Sequence, residues 1–196
     1  MRNSILALVA ALWSGMVMAG NIEEPSWQLV DKFDGVELRY YEPTVQARTT
    51  LASNSETSVG FGRLAGFIFG GNNKGQKIAM TAPVEETLGV DAPVMAFTMP
   101  AQYALSDLPT PRDPRVRLVE VPGKTVAVVR FSGWGTAYKV ERMKRKLLDG
   151  LRKNGIEPTG TPALNQYNPP WTLPFLRRNE VTVEVEGAAL AAVTAR

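Results

Sequence analysis

Alternating hydrophobic and polar residues predict short strands along most of the chain. Val36, Leu38 and Tyr40 alternate with more polar neighbours, and the period of two continues from Val45 to Leu51. Each alternating run predicts a strand with one face against a core. Further runs of this kind lie at 77–84, 94–99, 115–121, 125–131, 163–168 and 181–186. In the run 77–84, Pro83 predicts a strand end at a sheet edge or a bulge.

Two stretches have the period of amphipathic helices. Ser53 followed by Glu56 is a capping-box pattern, which predicts a helix reaching about Phe69. Five glycines between positions 60 and 71 weaken this helix, and residues 70–75 form a turn. A second helix is predicted over 136–153, where an apolar stripe opposes seven lysines and arginines. The predicted buried stripes are Phe61, Leu64, Ala65 and Ile68 on the first helix, and Val140, Met143, Leu147 and Leu151 on the second.

The order of the predicted elements repeats. Strand, strand, helix, strand and strand occur over about 36–103 and again over 114–186, with a proline-containing linker at 104–114. Connections of hairpin length favour antiparallel pairing. We therefore expect an α+β fold, in which duplicated β-α-β units form a distorted, mostly antiparallel β-barrel flanked by two helices.

The two ends of the chain are expected to lie outside this domain. Residues 1–19 combine Arg2, an apolar run and a small-residue cleavage site at Ala19, which is typical of a secretory signal peptide. The apolar run is too short to span a bilayer comfortably, so no stable membrane span is expected after cleavage. The domain then covers 20–186, and the tail 187–196 is expected to be disordered. We therefore expect an exported protein, which would be located in the periplasm of a Gram-negative cell.

Composition excludes several function classes. Removing the leader leaves 21 basic and 19 acidic residues, a net charge of +2, which does not suggest a nucleic-acid partner. The chain has no histidine and no cysteine, so common hydrolytic triads and zinc sites lack their ligands or base. Gly60 to Ala65 match a dinucleotide-binding spacing, but a strand does not directly precede them. We expect no catalytic residues and no enzyme.

Two groups of residues are candidates for ligand binding. Met80, Met95 and Met99, with Phe97, could adapt to a flat apolar ligand, and methionine can ligate iron. Ordinary core packing is the simpler explanation of the same residues. The cations Arg63, Lys74 and Lys77 fall in the first helix, the turn after it and the start of the next predicted strand, where they could meet carboxylates or could be solvated surface charges.

Three motifs resemble those of the SOUL haem-binding protein family. They are GGNNKGQKIAMTAPV at 70–84, VMAFTMPAQY at 94–103 and YNPPWTLPFLRRNEV at 167–181. The resemblance covers about 25–186. It implies the two-helix distorted barrel of bacterial effector-binding domains, and the ability to bind haem or another tetrapyrrole as a small-molecule ligand.

The resemblance also implies a ligand surface beside the first helix. Arg63 matches a basic residue implicated in contacts to the propionates, and Lys74 matches a lysine of the family's turn. Some members of the family have been proposed to ligate iron through histidine, which this chain lacks, so the metal ligand stays unknown and Met80, Met99, Tyr40 and Tyr41 are the alternatives. The predicted ligand-binding residues are Arg63, Lys74, Lys77, Leu64, Phe67, Met80 and Met99.

An area estimate predicts weak to moderate affinity for such a ligand. Burying about 400 Å² of apolar surface gives about 10 kcal/mol of gross free energy. Association costs at least about 4 kcal/mol of this, which leaves a dissociation constant of about tens of micromolar. We therefore expect an exported carrier, buffer or scavenger of tetrapyrroles. The alternatives are an effector-type or protein-interaction module for another amphipathic ligand, and a tetrapyrrole-modifying enzyme.

Overall fold

The computed structural model describes residues 22–186 as one curled sheet with two α-helices packed on it. The predicted leader 1–19 and tail 187–196 lie outside the described residues. The helices are α1, Thr57–Ile68, and α2, Ala137–Lys153. The strands are β1 (Trp27–Phe33), β2 (Val36–Tyr41), β3 (Thr44–Thr50), β4 (Val84–Thr87), β5 (Val94–Thr98), β6 (Arg117–Val121), β7 (Lys124–Phe131), β8 (Ala163–Gln166) and β9 (Asn179–Val185).

All nine strands pair antiparallel, in the order β1-β2-β7-β9-β8-β4-β5-β3-β6. The α+β half-barrel with two helices confirms the predicted fold class. In the sheet, β2 pairs with β7 and β6 pairs with β3. The first strand of each predicted repeat therefore lies in the half of the sheet that the other repeat forms. The domain boundaries and the duplication stay predictions.

One face of the sheet packs against the helices and the other is polar. Under α2, a core cluster contains Leu38, Val129, Leu147 and Val183. Under α1, a second cluster contains Ala47, Leu64, Phe67 and Phe97. Strand alternation turns the neighbouring side chains away from these cores, as Arg39 next to Leu38 shows, so they line the concave inner face.

The predicted strand 77–84 is wrong for most of its length, because the fourth strand begins only at Val84. The preceding residues make isolated bridges, between Lys77 and Phe69 and between Thr81 and Glu23. Pro83 has no N–H to donate to a ladder, so pairing begins after it. The predicted edge position is also wrong, since β4 lies between β8 and β5 in the middle of the sheet.

Two further details differ from the sequence prediction. Helix α1 begins at Thr57, its N-cap Glu56 makes no side-chain capping bond, and Ser53 instead bonds the hydroxyl of Ser55. Phe67 replaces Phe61 in its buried stripe, because Phe61 is 43% exposed. The strand β1 is unpredicted, since its side chains are mostly exposed and carry little alternation. Within residues 22–186, no helix is long and apolar enough to cross a membrane.

Candidate functional site

The outward side of α1 carries very little side chain. Ser58, Val59, Gly62, Gly66 and Phe69 are exposed, and they fall within about a 100° sector at 3.6 residues per turn. Phe69, the C-terminal cap, is 63% exposed and Val59 is 47% exposed. The helix therefore presents a flat strip of backbone with an apolar side chain near each end, which we call the α1 outer face.

The two central glycines of this face have no packing reason. A Cβ atom added at Gly62 or Gly66 would meet nothing within 4 Å, whereas one at Gly60 would lie 2.4 Å from Cδ2 of Leu51. Glycine in a helix interior costs about 0.5–1 kcal/mol relative to alanine. Gly60 is thus explained by the core beneath it, while Gly62 and Gly66 keep the outer face flat at a cost to the helix.

The turn after α1 is held together by the buried side chain of Asn72. Its amide nitrogen donates to the carbonyls of Phe67, at 3.1 Å, and Gln76, at 2.7 Å. Its side-chain oxygen accepts from the backbone N–H groups of Lys74, at 3.2 Å, and Gln76, at 3.0 Å. All of its hydrogen-bonding capacity is used within the turn, so the backbone that carries Lys74 is ordered.

The same turn brings cations to the C-terminal end of α1. Lys77 bridges Phe69 in an antiparallel pairing, and Lys74 and Lys77 are both exposed. The carbonyl end of a helix carries partial negative charge, which favours nearby cations. Two of the three predicted cations therefore border the α1 outer face beside Phe69.

The third cation, Arg63, lies at the flank of this face. Its Nη1 donates to the carbonyl of Thr50 at 3.0 Å. Its Nε is buried and has no hydrogen-bond partner among the residues that the structure describes. The guanidinium is thus fixed at one end by the end of β3.

The predicted apolar contacts lie mostly beneath the helix. Leu64 and Phe67 are 0% and 2% exposed in the core under α1, and Met80 packs against the same cluster. Met99 is 4% exposed and also lines a separate cavity. These four side chains support the first half of the domain from inside, and they do not form the outer face. Their role in ligand contact stays a prediction.

The concave face of the sheet carries a polar network that the sequence did not predict. Arg39 donates to Glu180 at 3.0 Å and to Glu37 at 2.7 Å, and Tyr167 donates to Glu180 at 2.8 Å. Burial and the Glu180 carboxylate raise the pKa of Tyr167, and burial raises the pKa of Tyr41. Both phenols therefore hold their protons more tightly than an ordinary tyrosine does. Arg39 and Glu180 lie far apart in the sequence, so no local sequence pattern predicts their pairing.

A cavity of about 800 Å³ opens at one end of the half-barrel. Its apolar lining includes Val45, Met99 and Tyr103, and four carboxylates, Glu23, Glu24, Glu42 and Glu120, surround it. Arg178 pairs with Glu24 from outside the lining. No lysine or arginine is among the described residues that line it. Its charge therefore repels anionic ligands.

Metal ligands are scarce in the described chain. Residues 22–186 contain no group of three histidines, cysteines, aspartates or glutamates that could hold a metal ion. The sequence itself has no histidine and no cysteine. A haem iron bound here would have to do without the two most common protein ligands of haem.

Comparison with known proteins identifies the family. The family model described as SOUL heme-binding protein matches residues 22–184. The chain belongs to this family. This SOUL protein is 28% identical over 153 residues to heme-binding protein 2 of Mus musculus, an alignment that covers 68% of this chain and 72% of the relative. The resemblance of the three sequence motifs is thereby confirmed.

Solved structures share the fold of this SOUL protein at much lower identity. The C-terminal domain of EcmrR superposes with a TM-score of 0.61 at 10% identity, covering 82% of this chain and 98% of that domain. A protein from Listeria innocua described as a hydrolase gives a TM-score of 0.54 at 9% identity, covering 80% and 94% of the two chains. Such identities show the fold alone.

Proposed function

We propose that this SOUL protein binds haem or a related tetrapyrrole on the α1 outer face. The observation that carries the proposal is the flat strip at Gly62 and Gly66, with Val59 and Phe69 near its ends. A planar macrocycle can approach backbone closely only where side chains are absent. Family membership supports the choice of ligand.

The surrounding cations suit the propionates of haem. Lys74 and Lys77 lie exposed at the C-terminal end of the face, and the half-buried Arg63 flanks it. Charge-assisted hydrogen bonds from such groups to carboxylates orient a ligand as well as hold it. The acidic cavity at the end of the half-barrel is unsuited to the same propionates.

The mode of binding is contact without histidine ligation, since the sequence has no histidine. Desolvation of a flat apolar ring gives a dissociation constant of about tens of micromolar after the cost of association. Affinity in this range allows ligand exchange. The protein then acts as a carrier, buffer or scavenger and not as an enzyme.

Hemin titration of the purified mature chain tests this proposal. Wild type is expected to give a saturable change in the Soret band and quenching of tryptophan emission. Replacing both Arg63 and Lys74 by alanine removes two positive charges beside the α1 outer face. This variant is expected to bind hemin about tenfold more weakly or worse, since charged hydrogen bonds each contribute about 1.5–3 kcal/mol. Unchanged affinity in this variant would place the ligand elsewhere.

Two variants at position 66 separate the effect of the flat face on hemin binding from general effects on the stability of the helix. Gly66→Ala adds a single methyl group to the flat strip and is expected to weaken hemin binding only moderately. Gly66→Glu adds a carboxylate in the middle of the face, where nothing lies within 4 Å. It is expected to weaken binding strongly while leaving the fold intact. Equal affinities for the two variants would exclude the α1 outer face.

The acidic cavity favours a second candidate function. Four carboxylates around an apolar lining suit an amphipathic cation better than haem. The test is a competition: a lipophilic organic cation is added to the hemin complex. Two separate sites would be shown if the cation binds without displacing hemin and if Glu42→Gln and Glu120→Gln weaken the binding of the cation. Binding of the cation alone, with no hemin binding, would favour an effector-type module.

We also propose that the protein is exported. The pattern of residues 1–19 supports removal of a leader after Ala19. Mass spectrometry of protein isolated from its native cells is expected to find Gly20 as the first residue. Recovery of the intact chain from the cytosolic fraction would contradict export. The absence of a nucleic-acid partner stays a prediction from charge.

A further inference from the structure

The motif at 167–181 lies far along the chain from α1 and forms an exposed apolar surface. The loop between β8 and β9 exposes Trp171 by 83%, Phe175 by 71% and Leu176 by 62%. The loop before α2 and the first turn of α2 add Trp134, at 56%, and Tyr138, at 73%. Leu173 is 55% exposed beside them. We call these six residues the Trp171 cluster: Trp134, Tyr138, Trp171, Leu173, Phe175 and Leu176.

Backbone and side-chain contacts join the two loops of this cluster. The N–H of Gly133 donates to the carbonyl of Pro174 at 2.8 Å, and the guanidinium of Arg177 lies 3.9 Å from the ring centre of Trp134. Arg177 also donates to the carbonyl of Thr172 at 2.8 Å. The exposed rings are therefore held by an ordered framework.

The exposed area of the cluster is large for a monomer surface. Aromatic side chains present about 150–250 Å² each. Four of them, each more than half exposed, together with two leucines reach or exceed the largest apolar patch of a typical monomer, about 300–600 Å². A surface of this size calls for a partner.

The adjoining helix supplies the charge that identifies this partner. Tyr138, Arg142 and Arg145 follow one another on the outward side of α2, opposite the buried Val140 and Leu147. The ion pairs within α2 in the described chain are Glu141 with Lys144 and Asp149 with Arg152. Arg142 and Arg145 have none of these pairings and stay available to an anionic surface.

We infer that the Trp171 cluster and the outward side of α2 dock onto an anionic lipid bilayer. Tryptophan, tyrosine, phenylalanine and leucine beside unpaired arginines are the composition that enters the boundary between lipid headgroups and acyl chains. The cluster would insert into this boundary, while Arg142 and Arg145 contact anionic headgroups. The protein lies on the membrane and does not span it. This inference does not rest on haem binding.

Vesicle sedimentation of the mature chain tests the inference. Binding is expected to vesicles with about one-third phosphatidylglycerol in phosphatidylcholine, to be weaker with phosphatidylcholine alone, and to fall as salt screens the charges. Tryptophan emission is expected to shift to shorter wavelength on binding. Absence of binding to the anionic vesicles at low salt would overturn the inference.

Variants separate insertion from simple charge attraction. Trp171→Ser with Phe175→Ser is expected to reduce vesicle binding by about tenfold or more, because it removes two large apolar groups. Arg142→Glu with Arg145→Glu is expected to abolish the preference for anionic lipid. Phe69→Ser, a similarly exposed aromatic position at the C-terminal end of α1, is the control and is expected to bind vesicles as wild type does.

Two other results would overturn the inference. Binding that depends on the arginines alone, with no emission shift and no effect of the aromatic substitutions, would show electrostatic adsorption only. Concentration-dependent dimerisation in analytical ultracentrifugation that the aromatic variant abolishes would show a second copy of the chain as the partner. Unchanged circular dichroism of each variant confirms that the fold is retained, as expected for exposed side chains.

Discussion

At the scale of single residues, the ion pair of Arg39 and Glu180 is buried on the inner face of the sheet. Both side chains are at most 5% exposed, and the pair also receives the hydroxyl of Tyr167. Burial lowers the pKa of Arg39, but the Glu180 carboxylate and the hydrogen bond to Glu37 raise this pKa by more. The guanidinium is therefore charged at all accessible pH values, and it depends on its carboxylate partners.

Glu180→Gln is expected to destabilise the protein by about 3 kcal/mol, because it leaves a buried charge with only part of its compensation. The measurement is urea unfolding followed by circular dichroism. Glu184→Gln on the same strand is the control, since its pair with Lys124 is 3.4 Å long and partly exposed. It is expected to cost less than about 1 kcal/mol. Equal losses for the two variants would contradict the special role of the buried pair.

Glu86 gives the fold a dependence on pH. Its side chain is 7% exposed, and burial raises its pKa, although a 2.6 Å hydrogen bond from Asn54 opposes the rise. Between the ordinary pKa of the unfolded chain and the raised value of the native state, the native state holds more protons. Stability from this group therefore falls as pH rises.

Glu86→Gln is expected to raise the melting temperature at about pH 7, because an amide occupies the site without charge. The gain is expected to shrink as the pH is lowered into the range where the wild-type carboxyl is protonated. Thermal unfolding of both proteins across this pH range is the measurement. A gain in melting temperature that does not vary with pH, or a lower melting temperature of the variant at neutral pH, would show that burial of the Glu86 carboxylate does not destabilise the protein.

At the scale of elements, α1 combines two kinds of glycine. Gly62→Ala is expected to stabilise the protein by about 0.5–1 kcal/mol, because the helix gains propensity and the new methyl group meets open space. Gly60→Ala is expected to cost about 1 kcal/mol or more, because its methyl group would press on the buried Leu51. Chemical denaturation of the two variants compares them directly. Destabilisation by Gly62→Ala would show a hidden packing role and weaken the argument for the outer face.

Local patterns predicted most of the elements, and long-range contacts explain the exceptions. Helix α2 followed directly from its apolar stripe, and Thr136, the first residue of the predicted range, is its N-cap. The segment 77–83 alternates like a strand, but its partners are Glu23 and Phe69, which no local pattern reveals. The strand β1 pairs only with β2 at the sheet edge and exposes most of its side chains, so burial left no alternation in its sequence.

The candidate site was predicted only in part for the same reason. The sequence predicted a site beside α1 with the cations Arg63, Lys74 and Lys77, and the structure places these three residues on or next to that helix; their role in ligand binding stays a prediction. It predicted the buried side of α1 correctly at Leu64, Ala65 and Ile68, but it placed Phe61 there in place of Phe67. Leu64 and Phe67 prove to be core residues, and Gly62 and Gly66 form the surface that they were expected to provide.

At the scale of the whole molecule, the sheet makes the two predicted repeats depend on each other. Because β2 pairs with β7 and β6 pairs with β3, each half of the sheet needs a strand from the other half of the sequence. The pairing of β4 with β8 then joins the halves into one sheet. Sequence order alone would have suggested two units side by side.

Unfolding is therefore expected to be a single cooperative transition. Circular dichroism, which reports the whole sheet, and tryptophan emission should give coincident denaturation curves. A fragment covering 20–113 lacks β7 and is expected to be unfolded. Two separate transitions, or a folded fragment with dispersed amide signals, would contradict the exchange of strands between the halves.

The central claim is that haem lies on the α1 outer face without histidine ligation, and amide NMR of the isotope-labelled protein titrated with hemin tests it most directly. Ferric haem is paramagnetic and broadens the signals of nearby amides. Haem on the α1 outer face is expected to cause saturable broadening centred on residues 58–77, including Gly62, Gly66 and Lys74, with the signals of Glu42, Glu120 and Trp171 little affected. Broadening centred on the acidic cavity or the Trp171 cluster, or no broadening at saturating hemin, would contradict it.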